Sequence, residues 1–348
     1  MKLAVFSAKS YDRKYLDEVR AARFPDLCTI EHHAFALSSE TVSLAQGCGA
    51  VCAFVNDTLD ARVLTTLHGY GIRAILLRCA GFNHIDLAAA ESLGLFVANV
   101  PAYSPEAVAE FAIALTQTLN RKTHRAYNRV REGNFNIEGL LGRTLHGKTV
   151  GIVGLGRIGM ATARIFNGFG CRLLAHDPVV DSDTFRQYGT LVDLDTLLQE
   201  SHIVSLHCPL TESTRHLINE KTLARMRPGA MLVNTSRGGL IKTEAVIQAL
   251  KTHVLGGLAL DVYEAEGELF YNDHSGEIIE DDVLMRLMTF HNVLLCGHQA
   301  FFTSEALTEI ADVTLSNLSD FVARRSCKNS LVSEGHVVVP ADKEPVRL

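Results

Sequence analysis

The sequence has 348 residues, of which 47% are hydrophobic and 21% are charged; this composition is typical of a globular protein with room for two domains. The formal net charge of -6 is spread without long runs of one sign, which argues against nucleic acid or an anionic membrane as a partner. No apolar stretch approaches a membrane span, and the apolar run at the N-terminus is too short for a signal peptide, so a cytoplasmic location is expected.

Eight cysteines are scattered along the chain, and several lie inside apolar runs. Free thiols are buried in this way in proteins of a reducing compartment. The closest pair, Cys48 and Cys52, lacks the CxxC spacing and has no matching pair of ligands downstream, so no metal site is predicted.

The first hundred residues predict an α/β unit. Buried strands are predicted at 3–6, 50–55 and 74–77, and helices at 10–23, 60–68 and 85–93. Strands that alternate with helices favour a parallel sheet covered on both faces.

Two prolines then interrupt regular structure within 97–105, and a strongly helical run follows at 106–125. We place the crossing between two domains here. The helical run has more small and apolar residues than one core-facing stripe requires, so it is also a candidate surface for a homodimer.

A cofactor motif opens the second half of the chain. The apolar strand 150–153 leads into Gly154, Gly156 and Gly159, the GxGxxG pattern, and then into a helix. These glycines allow a tight turn, a close approach to a pyrophosphate and close packing of helix on strand, and the free amides at the helix start face the anion. A second strand, 171–176, ends at Asp177, whose carboxylate would bind the ribose hydroxyls and repel a 2′-phosphate, which favours NAD over NADP.

Further strands are predicted at 203–207, 231–234, 257–262 and 293–296, before a last helix at 304–325. Ligands of an open parallel sheet gather at the carboxyl ends of its strands. Those ends carry Pro209, 235–238, 261–266 and 297–299. The acidic segment 267–282 between them predicts a surface loop.

Three side chains at these ends have the chemistry that reduction of a carboxylate-bearing carbonyl needs. Arg237 can grip a carboxylate at two points, His298 can donate a proton near neutral pH, and Glu266 can hold that histidine in its charged form. From residue type alone, Arg237 could equally be a surface arginine, and the proton donor could be any of the 15 histidines. Glu266 could equally lie in a solvated acidic turn.

The chain resembles the D-isomer-specific 2-hydroxyacid dehydrogenases from about residue 3 to residue 329. The motifs that carry the resemblance are Gly154-Leu155-Gly156-Arg157-Ile158-Gly159, His207-Cys208-Pro209-Leu210-Thr211, Asn234-Thr235-Ser236-Arg237-Gly238, Leu260-Asp261-Val262-Tyr263-Glu264-Ala265-Glu266 and the segment at His298. Within the family it is most similar to fermentative D-lactate dehydrogenases, through Arg78-Cys79-Ala80-Gly81-Phe82-Asn83, Pro101-Ala102-Tyr103-Ser104-Pro105, Glu268-Leu269-Phe270 and Gly297-His298-Gln299-Ala300-Phe301.

The resemblance implies two Rossmann-like α/β domains with parallel sheets. A discontinuous catalytic domain would comprise 1–101 and 299–333, an NAD-binding domain 102–298, and a disordered tail 334–348. It also implies Arg237, Glu266 and His298 as the catalytic set, and Ala80, Gly81, Tyr103 and Arg237 as substrate contacts. The cofactor-binding residues expected are Gly154, Gly156, Arg157, Ile158, Gly159, Asp177, Cys208, Pro209, Thr235, Ser236 and Asp261. The chain departs from the family at Phe111, where histidine is common.

We therefore expect NADH-dependent reduction of a 2-keto acid, pyruvate first, to the D-2-hydroxy acid, by a homodimer or higher homo-oligomer. The alternatives are a bulkier or different keto acid, such as phenylpyruvate, 2-ketoisocaproate or hydroxypyruvate, and, in another class, an NAD-sensing regulatory protein. A formate dehydrogenase is disfavoured because glutamine is expected where Glu266 stands.

Overall fold

The computed structural model of the chain describes residues 1–267, 269–333 and 336–338. The chain forms two compact units, Met1–Ser104 with Phe301–Leu348 (unit 1) and Pro105–Ala300 (unit 2). Each unit has a seven-stranded sheet covered by helices, so the predicted α/β class is confirmed. The functions given to the two domains stay predictions.

Unit 1 is built on the strand order β2-β1-β3-β4-β5-β13-β14. Its strands are β1 Lys2–Val5, β2 Thr29–His32, β3 Ala50–Ala53, β4 Ala74–Leu77, β5 Phe96–Ala98, β13 Ser330–Ser333 and β14 His336–Val337, and its helices are α1 Ser10–Arg23, α2 Ala61–Gly69, α3 Leu87–Ser92 and α12 Ser304–Val322. Alternate residues of β1 enter different cores, Leu3 on one face of the sheet and Ala4 on the other, as a doubly covered sheet requires.

The sequence missed four strands in unit 1. Its predicted helices and the strands β1, β3 and β4 are confirmed, with ends shifted by a few residues, but β2, β5, β13 and β14 were not predicted. All four have four residues or fewer, and three of them, β2, β13 and β14, lie at or next to an edge of the sheet. These three are only partly buried, so they lack the continuous apolar run that revealed β1, β3 and β4.

The predicted disorder of 334–348 is wrong for the part of the tail that the structure describes. His336–Val337 forms β14 and pairs antiparallel with β13. The amide of Val338 donates to the carbonyl of Leu331 at 3.0 Å, and the amide of Val337 donates to the Glu91 carboxylate at 2.9 Å. Residues 334–335 and 339–348 lie outside the described part of the chain.

Unit 2 has the strand order β12-β11-β10-β9-β6-β7-β8, and all its pairs are parallel. Its strands are β6 Thr149–Val153, β7 Arg172–His176, β8 Gly189–Leu191, β9 Ile203–Leu206, β10 Ala230–Asn234, β11 Leu255–Leu260 and β12 Val293–Leu295, and its helices are α4 Pro105–Arg121, α5 Thr123–Arg131, α6 Arg157–Gly168, α7 Ser182–Phe185, α8 Leu194–Glu200, α9 Glu220–Leu223, α10 Thr243–Lys251 and α11 Asp282–Met288. The strand order reverses direction beside β6, the point at which open α/β sheets bind ligands.

The predicted helix 106–125 is broken at Lys122. The structure has α4 and then α5, and Lys122 between them adopts a left-handed conformation with φ of 52°. Its ammonium group donates to the carbonyl of Leu141 at 2.7 Å, so a contact distant in sequence stabilises the break. Helical propensity could not reveal it.

The rationale for a dimer surface on α4 also changes. Most of the small and apolar residues of α4 are buried within unit 2, where the helix packs against α6 and the sheet. The exposed apolar side chains lie further along, at Tyr127, Val130, Phe135, Ile137 and Leu141. The association state stays a prediction.

The acidic segment 267–282 is only partly a surface loop. Phe270 is buried in a small cluster with Tyr263 and Leu284, and Glu268 lies outside the described residues. The Tyr263 hydroxyl donates to the Asp281 carboxylate at 2.8 Å, which ties the two ends of the segment together.

Among the helices of the described residues, none has the length and apolarity needed to cross a membrane.

Candidate active site

The glycine motif forms the turn between β6 and α6. Gly154 has φ of 93°, a conformation that favours glycine, and a Cβ there would lie 2.6 Å from the amide nitrogen of Cys208. A Cβ on Gly159 would lie 2.0 Å from the carbonyl oxygen of Gly154. Two of the three glycines are therefore required by the packing of helix and strand.

Gly156 has a different environment, because a Cβ there would meet no atom within 4 Å. It is the N-cap of α6, and no side chain caps this helix start. Within the described part of the chain, the first amides of the helix, at Arg157, Ile158 and Gly159, therefore have no capping side chain, and open space lies beside Gly156. A helix start of this kind fits the pyrophosphate of a dinucleotide.

The contrast between these glycines gives a prediction. Gly159→Ala is expected to lower the melting temperature and to weaken NADH binding, because the clash with Gly154 costs about 1–3 kcal/mol. Gly156→Ala is expected to keep the melting temperature and to weaken NADH binding alone. Thermal unfolding and NADH fluorescence titration measure the two effects.

Gly168→Ala is the matched control, since Gly168 lies in the same helix and a Cβ there meets nothing within 4 Å. It is expected to leave both quantities unchanged or to raise stability slightly. Equal melting temperatures for the Gly159 and Gly168 variants would contradict the packing argument.

Asp177 follows β7 and organises the glycine turn. Its Oδ2 accepts from the amide of Leu155 at 2.7 Å, and its Oδ1 accepts from the amides of Val179 and Val180 at 2.9 and 3.2 Å. Burial raises the pKa of Asp177, but the three backbone donors outweigh it and hold the pKa below its ordinary value. A carboxylate has about four acceptor positions, so one remains for the predicted ribose hydroxyl.

The ends of β9 and β10 are joined by a side chain. Ser236 Oγ donates to the carbonyl of Cys208 at 2.7 Å, and Pro209 is exposed beside it. Thr235 is buried, and its Oγ1 has no hydrogen-bond partner among the described residues. Buried hydroxyls normally have partners, so Thr235 is available to a ligand. Burial raises the pKa of Cys208 to about 11, which makes this residue a neutral wall of the site.

Arg237 is placed by a hydrogen-bonded turn after β10. Asn234 Nδ2 donates to the carbonyl of Arg237 at 2.9 Å, and the amide of Ser236 donates to Asn234 Oδ1 at 3.0 Å. A Cβ on the next residue, Gly238, would lie 2.1 Å from the carbonyl of Tyr263. The Arg237 turn thus lies directly against the segment after β11.

Asp261 is fully buried and holds the segment after β12. Its two carboxylate oxygens accept from the amides of Gln299 and Ala300, each at 2.8 Å, and its carbonyl accepts from the amide of His298 at 2.7 Å. Burial raises the pKa of Asp261, although both amide donors oppose this. Asp261 therefore orients the His298 segment in addition to its predicted place near the nicotinamide.

Glu266 and His298 lie together. Glu266 Oε1 is 2.8 Å from His298 Nδ1, and its Oε2 accepts from the amide of Tyr263 at 2.9 Å. A carboxylate at Nδ1 fixes the ring with a proton on that nitrogen, so Nε2 is the nitrogen that can gain and lose a proton. The neighbouring acid, Glu264, is bound instead to His216 and Thr243, so the acid beside His298 is the predicted one.

The predicted substrate contacts in unit 1 lie after β4 and β5. The carbonyl of Ala80 accepts from Asn99 Nδ2 at 2.8 Å, and the carbonyl of Gly81 accepts from the Cys79 thiol at 3.2 Å. The amides of Ala80 and Gly81 form no hydrogen bond among the described residues. They are thus free to bind a carboxylate. Tyr103 makes an edge contact with Phe301, with ring centroids 6.0 Å apart.

Sequence analysis did not identify Arg78, next to that segment, as a buried and ion-paired residue that supports the structure. It is 2% exposed, donates to Asp12 Oδ1 at 3.1 Å and to the carbonyl of Ser7 at 2.9 Å, and lies over the ring of Phe54. The one available signal was an arginine directly after the apolar run 74–77.

Within the described residues, no group of three or more His, Cys, Asp or Glu side chains is placed to hold a metal ion.

Comparison with known proteins agrees with this geometry. The sequence model of the family "D-isomer specific 2-hydroxyacid dehydrogenase, NAD binding domain" matches residues 113–300. A 2-hydroxyacid dehydrogenase A from Aspergillus oryzae is 72% identical over 100% of both chains. A D-lactate dehydrogenase from Curvularia clavata is 64% identical over 95% of both chains.

A solved structure has the same fold. The apo structure of D-lactate dehydrogenase from Escherichia coli superposes with a TM-score of 0.87 at 50% identity, covering 95% of this chain and 100% of that one. The glycine turn, the uncapped start of α6 and the unpartnered Thr235 hydroxyl fit the NAD that the family binds. The chain belongs to the D-isomer-specific 2-hydroxyacid dehydrogenases and is an NAD-dependent enzyme of that family.

Proposed function

We propose that this enzyme reduces pyruvate to D-lactate with NADH. The observation that carries the proposal is the 2.8 Å contact between Glu266 and His298 Nδ1, which leaves His298 Nε2 to give up the proton of the imidazolium. The high identity to a protein named D-lactate dehydrogenase supports pyruvate as the substrate. When bound, NADH supplies the hydride.

Each proposed catalytic residue has one task. His298 donates its proton to the carbonyl oxygen of the substrate as that oxygen becomes negative. Glu266 holds the imidazole ring and stabilises its charged form. Arg237 grips the substrate carboxylate and polarises the carbonyl group. The amides of Ala80 and Gly81, and the ring of Tyr103, are proposed as further substrate contacts.

The cofactor residues are proposed on the same basis. The amides of the glycine turn would bind the pyrophosphate, and Asp177 would bind the ribose. The strand-end residues Cys208, Pro209, Thr235 and Ser236 would line the nicotinamide side with Asp261. This set is supported by the geometry of the strand ends in unit 2.

The test is the loss of NADH absorbance with a panel of 2-keto acids. We expect the highest kcat/KM with pyruvate. A higher kcat/KM with phenylpyruvate, 2-ketoisocaproate or hydroxypyruvate would keep the reaction type and replace the substrate. NADH binding without turnover of any keto acid would favour a sensor and overturn the proposal.

Cofactor choice gives a separate prediction at Asp177. Asp177→Ser removes the negative charge that opposes a 2′-phosphate, so the ratio of kcat/KM for NADH over NADPH is expected to fall by about tenfold or more. The KM for NADH is expected to rise as well, because the Leu155 amide loses its acceptor. Asp26→Ser, on the surface of unit 1, is the control for loss of one charge. If Asp177→Ser left the ratio of kcat/KM for NADH over NADPH unchanged, Asp177 would not be the residue that discriminates against NADPH.

We also propose a cytosolic location and a homo-oligomeric state. The eight cysteines are free thiols, six of them buried, which suits a reducing compartment. The exposed apolar side chains on α5 and the loop after it support an association between copies. Sedimentation of the purified chain tests the second point.

A further inference from the structure

A tyrosine in unit 2 lies against the ring of the proposed proton donor. The centroids of the Tyr271 and His298 rings are 5.7 Å apart, and the planes of the two rings are inclined by 35°. Aromatic rings attract one another at centroid separations of about 4.5 to 7 Å. None of the catalytic tasks proposed above requires the Tyr271 ring, so its place beside His298 has a separate cause.

The chain after β11 brings Tyr271 to this place. The amides of Leu269 and Phe270 both donate to the carbonyl of Glu266, at 3.1 and 3.0 Å, so the chain turns directly after Glu266. Phe270 is buried in the small apolar cluster described above, and Tyr271 packs half-buried against the same cluster. One turn of the chain therefore supplies both the carboxylate and the aromatic ring that contact His298.

Tyr271 and His298 share an uncommon backbone conformation. Their φ angles are 68° and 54°, in the left-handed region that residues with a side chain rarely adopt. A bulky residue keeps such a conformation only where its surroundings enforce it, and residues of this kind cluster at functional sites. Here the two strained residues contact each other, which indicates that the strain serves the site.

The hydrogen bond to Glu266 does not by itself fix the plane of the imidazole. The second side-chain torsion of histidine is broad, and the contact at Nδ1 restrains one edge of the ring. A second ring packed against His298 restricts its tilt about that contact. Because proton transfer needs Nε2 within hydrogen-bonding reach of the substrate oxygen, the tilt decides whether the proton can be delivered.

We propose that Tyr271 is a positioning residue for the reaction: its ring sets the plane of the His298 imidazole, so that Nε2 faces the carbonyl oxygen of the substrate. This inference rests on the proposed function, since it takes His298 as the proton donor. Tyr271 acts through the imidazole and is given no contact with pyruvate or NADH. The rate of the chemical step should therefore depend on Tyr271, whereas the binding of both ligands should not.

The test is the rate of a single turnover, measured by rapid mixing of the enzyme–NADH complex with pyruvate. Tyr271→Leu keeps an apolar side chain but removes the ring. We expect it to lower this rate by about tenfold to 100-fold, the scale of loss when a catalytic group is misplaced by about 1 Å. The affinity for NADH and the pyruvate concentration at half-maximal rate are expected to stay near their native values. Tyr271→Phe retains the ring and is expected to keep the rate within about twofold of native.

Ile279→Ala is the matched control for the apolar cluster. Ile279 packs against the same cluster as Tyr271, so its truncation is expected to lower the melting temperature and to leave the single-turnover rate unchanged. If Ile279→Ala slowed the turnover as much as Tyr271→Leu does, loss of packing would explain the effect and the proposal would be wrong. Equal losses in Tyr271→Phe and Tyr271→Leu would assign the effect to the hydroxyl group and would also overturn it.

A double variant separates this inference from the proposed function. In His298→Asn, which lacks the proton donor, the further change Tyr271→Leu is expected to leave the residual rate unchanged, because residues that act through one step are not additive. Additive losses would show that Tyr271 does not act through His298. If His298→Asn kept the native rate, the proposed function would fail, and this inference with it. If His298→Asn were slow and Tyr271→Leu were as fast as the native enzyme, the positioning role alone would fail.

Discussion

His298→Asn is expected to lower kcat with pyruvate by about 100-fold to 10,000-fold, the range over which a general acid acts, while NADH binding is retained. Asparagine is chosen because His298 has φ of 54°, and asparagine tolerates this left-handed backbone better than most residues. The substitution therefore removes the proton donor without straining the turn. Steady-state NADH oxidation and NADH fluorescence titration measure the two quantities.

His253→Asn is the matched control. His253 is exposed after α10 and has φ of 61°, so the same change is made on the same kind of backbone away from the strand ends that carry the site. It is expected to leave kcat unchanged. If His298→Asn retained more than about a tenth of the native kcat, a loss of under about 1.4 kcal/mol in transition-state stabilisation, His298 would not be the proton donor.

Much of the fold could be predicted because its signals are local. The buried strands of unit 2 are short apolar runs, and the glycines of the turn at Gly154 have spacing that few other structures require. Helix starts were predictable for a similar reason, since Asp60 and Asp86 cap α2 and α3 through their own side chains. Each signal lies within a few residues of the element that it specifies.

What could not be predicted depends on contacts between distant residues. The break of the helix at Lys122 depends on the carbonyl of Leu141, and the contact between Glu266 and His298 joins residues 32 positions apart, a contact for which the sequence offered only the family resemblance. The burial of Arg78 requires Asp12, which lies 66 residues earlier in the chain. No period or spacing within one window of sequence contains these contacts.

The same distinction between local signals and distant contacts applies to the candidate site. The types of its residues are readable from the sequence, but their placement depends on a scaffold of buried polar groups. Asn234 holds the turn that carries Arg237, and Asp261 holds the segment that carries His298. These two residues lie at the ends of adjacent strands, and the amide of Asp261 donates to the carbonyl of Asn234 at 3.0 Å. Proton donor and carboxylate clamp are therefore positioned by one connected set of hydrogen bonds.

Arg237→Lys is expected to lower kcat/KM for pyruvate by about 100-fold. Lysine keeps the charge but loses the planar pair of donors, and loss of two charge-assisted hydrogen bonds costs about 3 kcal/mol or more, of which a lysine contact recovers only part. Arg237→Gln, which loses the charge as well, is expected to fall further. The KM for NADH should stay near the native value in both, because Arg237 is assigned to the substrate alone.

Arg62→Lys is the control, since Arg62 is exposed on α2 in unit 1. The order native, lysine, glutamine in kcat/KM separates charge from geometry: if lysine and glutamine fell equally, the fork shape of the guanidinium would be the whole contribution. A rise in the KM for NADH that matched the fall in kcat/KM would place Arg237 at the cofactor and contradict its role as the carboxylate clamp. Native activity in Arg237→Gln would leave the substrate carboxylate to the amides of Ala80 and Gly81.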